Sequence, residues 1–248
     1  QTDEEYFKKK KESLFENERI SQNSLILRVE YKINNYLCNY YIKFNDIYDF
    51  LNSKLKFINN EQCLHEVIPG NSPMKPYFDF DAQEIEYYDD SEIIKDELKG
   101  TKIIKTKIKG FALDKKDAKN AIEILKKIIK YVEPKIEDKH IFITNSHGFS
   151  KKKEYNVLSY HIIITGFTYK TSKDVEAFFK EVCKYYPKKY IEALDSGVYS
   201  KNHCFRLYKC HKPGEPNRRK VIDNLSTWLR PFKPKNEEIY SSLNTQMK

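Results

Sequence analysis

The chain has 248 residues, 40% of them hydrophobic and 14% aromatic, enough to bury the core of one sizeable domain or two associated lobes and too apolar for a disordered tail. Lysine and arginine number 45 against 36 acids, a formal charge of +9; the surplus points to a polyanionic partner such as nucleic acid, with a compositional bias toward lysine, asparagine and tyrosine as the competing explanation. Five scattered cysteines do not form a disulfide framework, no run reaches the roughly 20 apolar residues of a membrane span, and no signal-peptide pattern opens the chain, so the expectation is an intracellular protein of nucleus or cytoplasm, not secreted and with no membrane partner.

Residues 4–20 carry Tyr6, Phe7, Leu14 and Phe15 at near-helical spacing and predict an amphipathic helix. Two β-branched and aromatic runs, 25–32 and 36–44, flank Asn34-Asn35 and predict a hairpin. Asn45 then predicts the cap of a short helix through Ile47, Phe50 and Leu51, and 63–68 a further strand ended by Pro69-Gly70. Acidic residues from Glu84 to Glu97 predict a solvated loop. Asp114 caps a helix whose stripe of Ala118, Ala121, Ile122, Leu125 and Ile129 faces a core, and Pro134 closes it. Strands at 140–145 and 157–165 enclose a polar loop, a helix over 172–186 follows, and the chain from 213 onward predicts a basic tail or linker.

Three stretches carry chemistry. In Tyr77-Phe78-Asp79-Phe80-Asp81 strand alternation sends both acids to one side and both phenylalanines to the other. Two carboxylates so placed can share a divalent cation, as a two-metal phosphoryl-transfer site requires; taken alone the pattern is more often a turn or strand end than a catalytic site. In Ser159-Tyr160-His161 the serine and histidine share a face ahead of an aliphatic strand. In Phe205-Arg206-Leu207-Tyr208 the arginine faces away from its apolar neighbours, and its planar fork suits a triphosphate, with Lys212 as a mobile point charge. The loop triplet Lys151, Lys152 and Lys153 is either plain exposed charge or a contact for a template strand.

In this order and spacing the blocks resemble the archaeo-eukaryotic primase superfamily. More narrowly, Glu66-Val67-Ile68, Tyr77-Phe78-Asp79 and the run from Gly197-Val198-Tyr199 to Phe205-Arg206-Leu207-Tyr208-Lys209 are similar to the PrimPol primase-polymerases and to primases of large DNA viruses. The resemblance implies an α/β (α+β) primase fold: an RNA-recognition-like catalytic subdomain over 71–212, a smaller N-terminal α/β subdomain over 1–70, and the tail over 213–248. It implies a DNA primase and DNA-directed polymerase, joining nucleoside triphosphates on a single-stranded DNA template at two Mg²⁺ or Mn²⁺ ions and releasing pyrophosphate. Asp79, Asp81 and Asp195 become the catalytic and metal-binding acids, and Ser159, His161, Arg206, Lys212 and His65 the nucleotide-binding residues. A helicase domain or single-strand-binding protein is the further partner implied. The alternatives are a gap-filling or translesion polymerase that only extends primers, and a degenerate binding module that recruits a helicase. Two departures stand out: Asp79-x-Asp81 replaces the Asp-x-Glu common in PrimPol proteins, and His65 replaces an aromatic residue, leaving the preferred sugar open.

Overall fold

A computed structural model describes residues 24–33, 36–53, 63–86, 108–200 and 202–226, together with the backbone of Phe7–Lys8. The described residues form a mixed α/β protein with two sheets and four helices. The first sheet holds β1 (Phe7–Lys8), β2 (Leu25–Ile33), β3 (Tyr36–Phe44), β4 (Leu64–Ile68) and β10 (His203–Arg206), in the order β1-β3-β2-β4-β10 and antiparallel throughout. The second holds β5 (Tyr77–Glu84), β6 (Ala112–Leu113), β7 (Ile141–Asn145), β9 (Tyr155–Ile164) and β11 (Val221–Ile222), in the order β11-β7-β9-β5-β6, with β8 (Gly148–Ser150) also paired to β9.

Alternation along β5 and β9 decides what each face of the second sheet does. Phe78, Phe80, Tyr160 and Ile162 lie in the main core with the buried residues of α2 (Lys115–Val132) and α3 (Ser172–Tyr185). Phe78 meets Phe178 and Phe179 with ring centroids 6.0 Å apart, and Phe80 meets Tyr160 edge-on. Burying each such ring or aliphatic side chain stabilises the fold by about 1.5–3 kcal/mol, so the orientation of the opposite, polar face is fixed by the apolar one. The cap expected at Asp114 is present, accepting from Asp117 N–H at 2.7 Å, and Thr171 and Asp174 form a reciprocal capping box. Tyr186 Oη donates to the Ala121 carbonyl at 3.0 Å and ties the end of α3 to α2. A second core, under the first sheet, gathers Leu25, Leu27, Phe50, Leu51, Leu64 and Leu207 around α1 (Ile47–Asn52).

Several expectations are corrected. Phe7–Lys8 form a strand on the edge of β3 instead of a helical turn; the rest of the expected 4–20 helix lies outside the described residues. The cap of α1 is Asp46, which accepts from Tyr48 and Asp49 N–H, because Asn45 instead donates its own N–H to Asp49 Oδ2. Glu84, expected in a solvated loop, ends β5, is buried and pairs with Lys115 at 2.7 Å; residues 87–100 lie outside the described residues. The polar loop after β7 contains β8. Residues 213–226, expected as part of a tail, are packed into the body: β11 pairs with β7, and Arg218 and Lys220 are each 2% exposed. Among the described residues no helix is long and apolar enough to cross a membrane.

Candidate active site

The polar face of β5 and β9 builds one wall of a site where the two sheets meet. The antiparallel register sets Asp79 opposite His161 and Asp81 opposite Ser159. The other edge of β5 is taken by residues 193–195: Asp81 N–H donates to the Ala193 carbonyl at 2.8 Å and Asp195 N–H to the Asp79 carbonyl at 3.0 Å. This short pairing delivers Asp195 beside Asp79. The turn that follows, Ser196–Tyr199, is bolted to β5 by Tyr77 Oη donating to the Val198 carbonyl and Tyr199 Oη donating to the Tyr77 carbonyl, each at 2.7 Å. Asp195 caps that turn by accepting from Gly197 N–H at 2.7 Å, and a Cβ at Gly197 would stand 3.0 Å from the same carboxylate oxygen. Asp195 is otherwise exposed.

The three carboxylates are mutually repulsive. Burial, then the negative charges of Asp81 and Asp195, push the Asp79 carboxyl up to about 7, although Lys220 and Arg206 pull the other way. Asp79 Oδ1 and Asp81 Oδ1 are buried with no hydrogen-bond partner. Asp81 Oδ2 lies 3.3 Å from the amino group of Lys153. Buried, unsatisfied hard oxygens in a cluster of repelling carboxylates fit Mg²⁺ or Mn²⁺ by donor chemistry. The fit does not extend to a ready-made cage: among the described residues no group of three or more His, Cys, Asp or Glu stands in metal-holding geometry.

The facing wall is basic. Arg206, on β10, is buried and donates through Nη1 to the Arg218 carbonyl at 3.2 Å, while its Nε has no partner. Arg218 in turn donates to the Ser146 carbonyl at 3.1 Å and to Glu215 Oε2 at 2.9 Å. Gly148 makes room for this arginine: its φ is +129°, and a Cβ there would lie 3.3 Å from Arg218 Cγ. The amine of Lys220 bonds to His161 Nδ1 and to the Arg206 carbonyl and lies 4.6 Å above the Phe205 ring. His161 Nε2 stands 3.6 Å from Asp79 Oδ1, and its ring lies 4.0 Å from that of Phe205. Burial, then Lys220 and Arg206, hold the His161 imidazole well below its usual range.

His65 sits on β4 in register with Arg206 on one side and Arg28 on the other. It is buried, Nδ1 has no hydrogen-bond partner, and burial with Arg206, Arg28, Lys220 and Lys212 nearby holds it well below the usual histidine range. Lys212 is exposed on a loop bridged to Glu215 and acts electrostatically on Arg206, Arg218 and Asp81. The lysine triplet divides. Lys151 and Lys152 project into solvent from a turn held by Lys151 N–H donating to Glu215 Oε1 at 2.9 Å, whereas Lys153 reaches the acids.

Thus Asp79, Asp81, Asp195, Ser159, His161, Arg206 and His65 gather in one place, with Lys212 and Lys153 at its margin. Four participants escaped the sequence reading: Lys220, Arg218, Glu215 and His147, whose Nδ1 accepts from Ser159 N–H at 3.0 Å. The run Arg218-Arg219-Lys220 ahead of Val221-Ile222 is the signal the sequence offers for the two cations, a basic stretch leading into a strand. Compared with protein-family models and with curated proteins, the chain matches none of either.

Proposed function

We propose that this chain is a template-directed nucleotidyltransferase of the archaeo-eukaryotic primase type, a primase-polymerase that joins nucleoside triphosphates on single-stranded DNA. The observation that carries the reading is the pairing of two walls: three carboxylates, two with buried unsatisfied oxygens, face a buried array of Arg206, Lys220 and His161. An acid cluster for cations beside a cationic pocket for phosphates is the charge pattern a metal-bound nucleoside triphosphate demands. A sheet with two helices on one face and the site on the other supports the implied RNA-recognition-like catalytic subdomain.

Asp79, Asp81 and Asp195 would hold two divalent cations, which supply activation of the attacking hydroxyl and neutralisation of the leaving pyrophosphate. The chain's own groups do the rest. Arg206 and Lys212 balance triphosphate charge, Ser159 offers a hydroxyl donor, His161 presents Nε2 toward the same space as Asp79, and His65 lines the floor next to Arg206. Burial of Arg206 and His161 strengthens their action on a phosphate by excluding water.

The test is product formation from labelled nucleotides on unprimed single-stranded DNA with Mg²⁺ or Mn²⁺, comparing wild type with Asp79→Asn. Short products from wild type alone are expected. Extension only when a primer is supplied would reduce the activity to polymerisation, and no product under either condition would overturn the enzymatic reading in favour of a binding module.

A further inference from the structure

Alternation along β2 sends Leu25, Leu27 and Val29 into the core around α1 and leaves Ile26, Arg28 and Glu30 on the other face of the first sheet. On that second face the register sets Tyr41, Arg28, His65 and Arg206 side by side across β3, β2, β4 and β10. Ile26, Tyr41 and Val67 form a small apolar core with Cys204 against it, so the polar row has a dry flank. Three nitrogens of the row, Arg28 Nε, His65 Nδ1 and Arg206 Nε, are buried with no hydrogen-bond partner among the described residues. The rest of the Arg28 guanidinium is engaged by Glu30, Nη2 to Oε1 at 2.8 Å, and by the Cys204 thiol. Its side chain is 25% exposed whereas His65 and Arg206 are buried, so the row opens to solvent at Arg28 and ends at the acids.

We propose that Arg28, His65 and Arg206 form an anion subsite for the outer phosphates of a nucleoside triphosphate, with Arg28 at the end farthest from the acids; the identity of the anion rests on the nucleotide reading of the site. Arg28 belongs to none of the sequence blocks that pointed to that reading. Buried donors without partners are uncommon, and two guanidinium Nε–H groups flanking one histidine on three adjacent strands call for an acceptor between them. A phosphate supplies several acceptor oxygens and the negative charge that fixed, planar guanidinium donors match. The row carries excess positive charge: Glu30 pairs with Arg28, while Arg206 bonds to a carbonyl and acts on acids only across the cleft. After burial, Arg206 and Arg28 are what hold the His65 imidazole low, so both cations bear on the residue between them. Two strand spacings separate Arg28 from Arg206, about 10 Å. Transfer at the carboxylates acts on the innermost phosphate, so the rest of the tail runs from Arg206 past His65 toward Arg28. Glu30 is the counterweight: its Oε2 stands 3.9 Å from His65 Nδ1, and its charge opposes an incoming anion.

The experiment is calorimetric titration of the chelator-treated protein with inorganic tripolyphosphate, and in parallel with a single-stranded oligonucleotide, for wild type, Arg28→Gln and Glu30→Gln. Wild type is expected to bind tripolyphosphate, Arg28→Gln to bind it about 10-fold more weakly, and Glu30→Gln about threefold more tightly. The opposite signs matter, because an ion pair that only braced the sheet would lose binding in both variants or in neither. Wild type that does not bind tripolyphosphate overturns the subsite, as does unchanged affinity in a folded Arg28→Gln protein or weakened affinity in Glu30→Gln. Oligonucleotide binding that falls in Arg28→Gln while tripolyphosphate binding stays the same places Arg28 on the strand and also overturns it. Tripolyphosphate binding that depends on Arg28, in a protein that makes no product on primed or unprimed DNA, supports the subsite and overturns the polymerase reading. Synthesis whose nucleotide KM is indifferent to Arg28→Gln does the reverse, so the two fail separately.

Discussion

At the scale of single residues the site is organised around a conflict at Asp79. Its carboxyl is pushed up to about 7 by burial and by two neighbouring acids, so an uncharged isostere should suit the empty fold better than the natural residue. Asp79→Asn is expected to abolish synthesis yet raise the stability of the metal-free protein by about 1–3 kcal/mol, read as a higher denaturant midpoint. A destabilised variant would mean that the carboxylate is a structural anchor. Lys153 is the complementary case. Its amine, 3.3 Å from Asp81 Oδ2 and partly exposed, supplies positive charge to the acids and would have to yield to the proposed cation. A partly exposed ion pair is worth about 0.5–1 kcal/mol, so Lys153→Ala should tighten Mn²⁺ binding by about two- to fivefold in a paramagnetic resonance titration. Unchanged affinity would show that the lysine does not compete with the metal.

At the scale of elements, the gap between β7 and β8 along the edge of β9 explains how Ser159 is held. There the ladder is continued by a side chain: Ser159 N–H donates to His147 Nδ1, while Ser146 N–H donates to the Ser159 carbonyl, both at 3.0 Å. Burial, above all, lowers His147 to about 4. A histidine depressed in the fold binds its proton more readily when unfolded, so its contribution to stability is complete above about pH 6.5 and is lost as pH falls through about 4. Urea unfolding should therefore lose about 1–2 kcal/mol between pH 7 and pH 5 from this group, and His147→Gln should flatten that part of the slope. An identical slope in the variant would assign the acid sensitivity to other buried imidazoles such as His65 and His161. The same elements show why some of the site was legible and some was not. Alternation alone fixes that Asp79 and Asp81, or Ser159 and His161, share a face. It cannot say that β5 and β9 are neighbours, or in which register, because pairing is set by contacts distant in sequence. Asp195 reaches Asp79 through three residues too short to read as a strand, and Lys220 and Arg218 looked like a tail because basic residues near the end of a chain are usually solvated. Their burial depends on Glu215, on Gly148 and on the acids across the cleft.

At the scale of the whole molecule the surplus of +9 has to be divided between charge that serves the site and charge that faces solvent. Arg206, Arg218 and Lys220 are buried against carbonyls, carboxylates and rings, and so cannot follow a nucleic-acid backbone. Lys151 and Lys152 can: they are exposed on a turn whose backbone is fixed to Glu215, next to Lys153 at the mouth of the acid cluster. Each phosphate neutralised on a single strand contributes about −0.7 to the slope of log affinity against log salt. If these two lysines carry template phosphates, the double variant Lys151→Ala/Lys152→Ala should bind single-stranded DNA more weakly at low salt and show a slope shallower by about 1.4. Its nucleotide KM should stay near that of wild type, whereas Arg206→Ala should weaken nucleotide more than DNA. A double variant with an unchanged slope would move the template track off this turn, onto cations on another surface of the protein. The two variants would thus separate charge that serves the proposed triphosphate from charge that serves the proposed strand, which net composition alone cannot do.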